Sequence, residues 1–229
     1  MTVKENTSIQ HIIFDLDDTL LDTSRLLVPS AIVATCRAMI KAGMKCTLSQ
    51  CLPLWQKDHL HSKVIAKLAS KYGDKKRQKA LIQCGLSTFY KPKIGKLLTI
   101  LSEALICLKY LVKNQYSLSI ITRGDPLTQS KKIKALTICK YFQAIYIVNI
   151  DAKKEWAFLH VLSSLRCRPE NVLCVGNRLD DEIETAKRLG IKTCWIKKGE
   201  HSKEKPKSRY QKPDFKITSL GQLVTLCQL

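Results

Sequence analysis

The amino-acid sequence predicts an α/β fold, a doubly wound parallel sheet of Rossmann-like type that carries a second, helical domain. Three observations lead there. Short apolar runs rich in isoleucine and valine recur along the chain, each about as long as a buried strand. Segments with apolar residues at three- and four-residue spacing lie between them, and this alternation is the pattern of a parallel sheet covered by helices on both faces. One long stretch, residues 24–93, breaks the alternation; it has helical periodicity, no convincing strand and little glycine.

The elements follow in order. The first strand is read at 9–16 (IQHIIFDL), and the helical insertion comes directly after it. A helix over 96–113 then leads to a strand at 117–122 (SLSIIT), a helix over 126–139 to a strand at 144–149 (AIYIVN), and a helix over 154–166 to a strand at 171–175 (NVLCV). A helix over 180–189 precedes the strand at 191–196 (IKTCWI). The basic stretch 197–212 reads as an exposed loop stiffened by Pro206 and Pro213, and a weak strand at 214–217 runs into a helix at 219–227. The domain assignment is thus an α/β core from 1–23 and 94–229, with a helical domain at 24–93 between its two parts.

Composition bounds the function classes. The chain has 229 residues, 45% hydrophobic and 25% charged, enough apolar material for a core and too much for a wholly disordered chain. No apolar run approaches the roughly 18 residues that span a bilayer; the longest, 97–112, is broken by Glu103 and Lys109. The opening MTVKENTSIQ shows no apolar leader segment, and the ten cysteines are scattered with no C-x-x-C pair, so reduced thiols and a cytoplasmic location are expected. The net charge is +20. Residues 24–93 hold fourteen Lys or Arg against Asp58 and Asp74, a net +12, and the rest of the chain carries +8. Such a field attracts nucleic acid, phosphorylated metabolites or acidic membrane surfaces, and is equally what a solvated basic surface carries. Trp55, Tyr72, Phe89 and Tyr90 have apolar neighbours and read as core rather than as a stacking platform; His59 and His61, among charged residues, read as surface positions.

The chemistry is concentrated after the first strand, in FDLDDTLLD. Ligands of open α/β sheets bind beyond the carboxyl ends of the strands, so Asp15, Asp17 and Asp18 crowd the place where a site belongs. Three carboxylates in four residues repel one another unless a cation or a division of protonation states relieves them. A D-x-D at this junction can set one carboxylate in the cleft as nucleophile or metal ligand and the next as acid/base; helix-capping aspartates in a loop are the bland alternative.

The order and spacing of four motifs resemble those of the haloacid dehalogenase-like hydrolase superfamily, whose commonest members are magnesium-dependent phosphatases. The first motif, D-x-D-x-[TV], is matched by Asp15, Asp17 and Thr19; the second, a Ser or Thr ending a later strand, by Thr122 in IITRGD. For the third, a lysine, Lys153 and Lys154 compete, and counting back from Pro169 favours Lys153. The fourth, an acidic G-D-x-x-x-[DE] loop, is matched imperfectly by Gly176, Asn177, Arg178, Leu179, Asp180, Asp181 and Glu182. The match spans about 9–196, with the insertion where the family places a helical cap.

The resemblance implies that Asp15 is a nucleophile forming an aspartyl-phosphate, and that Asp17 is its acid/base. The family's dehalogenases lack an acid at the second position, so Asp17 implies phosphoryl chemistry. It implies that Thr122, Arg123, Gly124 and Lys153 or Lys154 hold the phosphoryl group, with Arg123 turned either into the cleft or onto the surface. It implies Mg²⁺ held by Asp15, Asp17 and Asn177, with Asp181 or Glu182 compensating for the charge that Asn177 does not bring. Asp18 is a stabiliser of the loop. The expected function is that of a Mg²⁺-dependent phosphatase for a small anionic phosphorylated substrate, a sugar phosphate or nucleotide, with the basic helical domain as a lid. Two alternatives stay open. One is a phosphomutase. The other is a nucleic-acid-binding or regulatory protein on the same scaffold with little turnover, which Asn177 and the net charge favour.

Overall fold

β1 (His11–Phe14) is buried along its whole length, and the rest of the sheet assembles around it. The computed structural model describes residues 9–57, 60–95 and 98–226. Five helices follow β1: α1 (Thr23–Leu26), α2 (Val28–Lys41), α3 (Leu48–Lys57), α4 (His61–Tyr72) and α5 (Gln78–Tyr90). Together they form one compact unit, Thr23–Gly95. The other unit, Met1–Asp22 with Lys96–Leu229, continues through α6 (Ser102–Lys113), β2 (Ser117–Arg123), α7 (Pro126–Leu136), β3 (Ala144–Val148) and α8 (Glu155–Leu165). It closes with β4 (Val172–Gly176), α9 (Glu184–Arg188), β5 (Lys192–Ile196), β6 (Phe215–Ile217) and α10 (Leu220–Leu226).

The six strands are all parallel and run in the order β3-β2-β1-β4-β5-β6. The order reverses at β1, which pairs with β2 on one side (Phe14 with Ile120) and β4 on the other (Phe14 with Val175). Such a reversal leaves a crevice at the carboxyl ends of the strands. Near-continuous apolar strands of this kind need cover on both faces. Ile13, Ile121, Val148, Val172 and Cys174 pack with Ala157, Phe158 and Val161 of α8 and Ala186 of α9. α6, buried at Ala104, Cys107, Leu108 and Leu111, packs on β2 and α10.

Three sequence expectations change. The helix read over 126–139 stops at Leu136, because Thr137 takes a left-handed conformation (φ 53°) that ends the turn. The helix read over 180–189 is a π-helical turn, Leu179–Ile183, followed by the short α9. The stretch 197–212 is no freely exposed loop: it winds through two 3₁₀ turns that bury His201 and Gln211. His201 is paired there with Glu200 and Glu204, so its charged neighbours mark a half-buried ion network rather than solvation.

In the helical unit Met39, Cys51, Val64, Ile65, Leu68 and Leu81 form the core. Gly85 of α5 lets the helices close up, since a Cβ there would stand 2.6 Å from Ile65 and 2.9 Å from Met39. Trp55 and Phe89 are buried and stacked (centroids 5.6 Å apart), while Tyr90 lies at the surface. His61 packs against both rings and is not the surface residue its neighbours suggested; His59 lies outside the described residues. Every Lys and Arg of this unit is exposed.

Candidate active site

Three adjacent strands deliver the first parts of the site to one sheet edge. Asp15 follows β1 directly, and its backbone N–H donates to the Val175 carbonyl of β4 (2.9 Å). Thr122 stands near the end of β2, and Asn177 follows β4. The indole N–H of Trp195 in β5 donates to the Asn177 carbonyl (2.8 Å), and the Asn177 amide nitrogen makes a long contact (3.5 Å) to the Lys198 carbonyl. That contact turns the amide oxygen the other way.

Lys154, at the start of α8, is the lysine that reaches these groups. Its ammonium is only 1% exposed, 3.2 Å from Asp15 Oδ1 and 3.4 Å from Asp181 Oδ2, and it is bonded to Glu182. Lys153, favoured by counting, is exposed. The first turn of α8 explains the difference: Lys154 shares the helix's inner face with Ala157, Phe158 and Val161 at helical spacing, and its neighbour does not.

The carboxylates around Lys154 are individually placed. Burial raises the Asp15 carboxyl above its ordinary range, and Lys154 opposes the rise. Burial opposes the charge on Lys154 as well, but Asp15, Glu182 and Asp181 outweigh it and hold the amine protonated. Glu182 is pushed up to about 8 by burial, against the pull of Lys154. Asp181 goes the other way, because Lys154, Arg123 and Arg178 together overcome its burial. The π-helical turn, with Ile183 N–H bonded to the Arg178 carbonyl (3.2 Å), sets both Asp181 and Glu182 inward, where neighbours on a regular helix point apart. Glu182 also accepts from the Arg178 N–H (3.0 Å). One of its oxygens thus meets Lys154 and the other the Arg178 N–H. Gly176 makes its room, as a Cβ there would meet the Glu182 side chain at 2.7 Å.

Arg123 points into the cleft, where its guanidinium meets Asp181 Oδ1 at 2.8 Å. Gly124 has its N–H bonded to the Val148 carbonyl (3.0 Å), so it meets the site through the space it leaves rather than as a donor to substrate. Asp18 is nearly buried, in a left-handed conformation (φ 55°), with its carboxylate packed against Gly199.

Asp17 brings in two residues that the sequence reading missed. Its Oδ1 accepts from Lys132 Nζ (2.7 Å) and its Oδ2 from Gln129 Nε2 (2.9 Å); the same Gln129 nitrogen lies 2.8 Å from Thr122 Oγ1. Both come from α7, whose start is fixed by Pro126 and by the Asp125 side chain accepting from Thr128 N–H. Gln129 and Lys132 share the buried face of α7 with Ile133 and Leu136. A cation in register with an apolar stripe was the available signal.

Among the described residues no three His, Cys, Asp or Glu side chains converge closely enough to form a metal cage. The donors here are the carboxylates of Asp15 and Asp181 and the amide oxygen of Asn177, all nearly buried. Mg²⁺ is commonly held by one or two carboxylates completed by water and substrate phosphate. The hard oxygen set fits that mode of binding and gives no support to a soft or transition metal.

The fold and the four-stretch arrangement define a class, and the chain belongs to it: a family model for haloacid dehalogenase-like hydrolases matches residues 12–196. It is a hydrolase of the phosphatase type. A glyceraldehyde 3-phosphate phosphatase of Pyrococcus furiosus is 29% identical over 96% of this chain and 93% of its own. The N-acylneuraminate-9-phosphatase of Mus musculus is 30% identical over 51% of this chain and 48% of its own. Among solved structures, a haloacid dehalogenase-like hydrolase of Streptococcus pneumoniae superposes with a TM-score of 0.65 at 19% identity, covering 96% of this chain and 99% of its own. A Bacillus subtilis HAD-hydrolase bound to magnesium does so with a TM-score of 0.64 at 20% identity, covering 97% and 100%. No helix among the described residues is long and apolar enough to cross a membrane.

Proposed function

We propose that this chain hydrolyses small phosphate monoesters with Mg²⁺ through an aspartyl-phosphate on Asp15. The observation that carries the reading is the contact of Lys154 with Asp15 (3.2 Å) beside an Asp17 tied through Gln129 to Thr122. In the first step an Asp15 oxygen bonds to phosphorus, the bond from phosphorus to the leaving oxygen breaks, and a protonated Asp17 gives that oxygen its proton. In the second, water gives a proton to Asp17 as its oxygen bonds to phosphorus, and the bond to Asp15 breaks to release phosphate. Lys154 and the Thr122 hydroxyl hold phosphoryl oxygens. Asp15, Asp181, Asn177 and the Asp17 segment would hold the metal, which when bound neutralises charge on those oxygens.

The relatives named for glyceraldehyde 3-phosphate support a triose phosphate or similar short sugar phosphate as substrate class. The test is phosphate release from a panel containing glyceraldehyde 3-phosphate, sugar phosphates and nucleotides, with and without Mg²⁺. Asp15→Asn is expected to lose all turnover while keeping its unfolding midpoint. Turnover retained in that variant would remove Asp15 as nucleophile.

A further inference from the structure

Resting on the reading of Asp17 and Thr122 just given, we propose that Gln129 is a positioning residue of the reaction, acting through both of them at once. Gln129 is 2% exposed and carries two amide protons. One nitrogen lies 2.9 Å from Asp17 Oδ2 and 2.8 Å from Thr122 Oγ1. The amide's orientation is forced, because its carbonyl in that place would face the Asp17 carboxylate. The nitrogen therefore donates to both oxygens.

Two consequences follow for the reacting groups. With one lone pair of Thr122 Oγ1 taken by Gln129, the hydroxyl's own proton is aimed away from α7 and is the one left for a phosphoryl oxygen. The Asp17 carboxylate is held at both oxygens, by Gln129 on one and by Lys132 (2.7 Å) on the other, so its plane is fixed before substrate arrives. Gly124 makes the arrangement possible: its φ of 156° and missing Cβ leave space for the Gln129 side chain, which a Cβ would meet at 3.1 Å. The acid/base and the hydroxyl are thus aligned by one buried amide.

The experiment compares Gln129→Leu and Gln129→Glu with the native chain, alone and combined with Asp17→Asn and Thr122→Val. The readout is first-turnover release of the leaving group from two substrates: an alkyl phosphate, whose alkoxide needs a proton, and 2,4-dinitrophenyl phosphate, whose phenolate leaves without one. Losing a buried hydrogen bond to a charged group predicts roughly a 30-fold fall in kcat for Gln129→Leu on the alkyl phosphate. The fall on the dinitrophenyl ester is smaller and comes through Thr122 alone, and KM moves less than kcat. Gln129→Glu, which sets a third acceptor against Asp17 and Thr122, falls at least as far. In the Asp17→Asn, Thr122→Val background the Gln129→Leu effect shrinks to about threefold or less. An equal loss on both esters, or a Gln129 effect that survives in that background, overturns the inference. A leaving-group preference absent from Asp17→Asn itself instead overturns the acid/base reading on which it rests.

Discussion

Replacing Lys154 by methionine tests the centre of the site. The side-chain volume is nearly kept while the ammonium goes. That ammonium sits about 3.3 Å from oxygens of Asp15 and Asp181 and touches Glu182. At an effective dielectric of about 20, a unit pair at this distance is worth roughly 5 kcal/mol before desolvation. Desolvation of the buried amine offsets part of this, and removing one partner of a buried ion pair typically costs about 3–5 kcal/mol, because the remaining charges stay buried and unpaired. The native chain and the Lys154→Met and Lys153→Met variants are to be unfolded in urea at pH 5 and pH 8. Lys154→Met is expected to lose about 3–5 kcal/mol at pH 8. It should lose less at pH 5, where Asp15, already biased toward protonation by burial, takes up a proton in place of the missing cation. Phosphatase activity should fall by about 10²–10³-fold, the usual cost of deleting one charge-stabilising donor. Lys153→Met, on the exposed side of the turn, should match the native chain in both measurements. A loss below about 1 kcal/mol at both pH values, or equal effects from the two lysines, would refute this reasoning.

Asn177→Asp places a carboxylate just after β4, on the strand next to the one that carries Asp15; a calorimetric Mg²⁺ titration should show affinity rising by about 30-fold, roughly 2 kcal/mol, and an unchanged affinity would take Asn177 out of the proposed metal set. His11 is fully buried at the start of β1, and burial pushes its ring down to about 4. Its folded pKa lies below the unfolded value, so its contribution is complete above about 6.5 and lost as pH falls toward 4, a slope of about 3 kcal/mol. His11→Val should flatten that acid limb of the stability profile. His201 has the opposite sign: burial works against its charge, but bonds to Glu200 and Glu204 push it up to about 9. Its contribution is therefore complete below about 6.5 and lost as pH rises through 9, and His201→Gln should remove a decline of up to about 3 kcal/mol on the alkaline side.

The sheet was legible because each strand is a short apolar run bounded by polar residues, and all six lie within a few residues of where periodicity puts them. Strand order was not readable, because no local pattern tells which apolar run pairs with which. Asp15, Thr122 and Asn177 were readable because each follows or closes a strand, where position along the chain fixes position in the crevice. Between Lys153 and Lys154 the sequence left the choice open, since a loop precedes α8 and counting cannot fix a helix's rotation; the apolar partners Ala157 and Phe158 carry the register that turns Lys154 inward. Gln129 and Lys132 escaped because they act across the fold, onto an aspartate more than a hundred positions earlier. The inward turn of both Asp181 and Glu182 depends on a widened helical turn that no local pattern announces.

β1 has a kinetic consequence. Its partners lie far along the chain: His11 pairs with Ser117 and with Val172. An apolar segment with both backbone edges bare must therefore wait for strands more than a hundred residues later before either flank is satisfied. Pairings so distant along the chain slow the search for the native state and leave an aggregation-prone template in the meantime. The yield of functional protein from a ribosome should accordingly be governed by how well that early segment is sheltered, with holdase chaperones raising it and faster elongation shortening the wait.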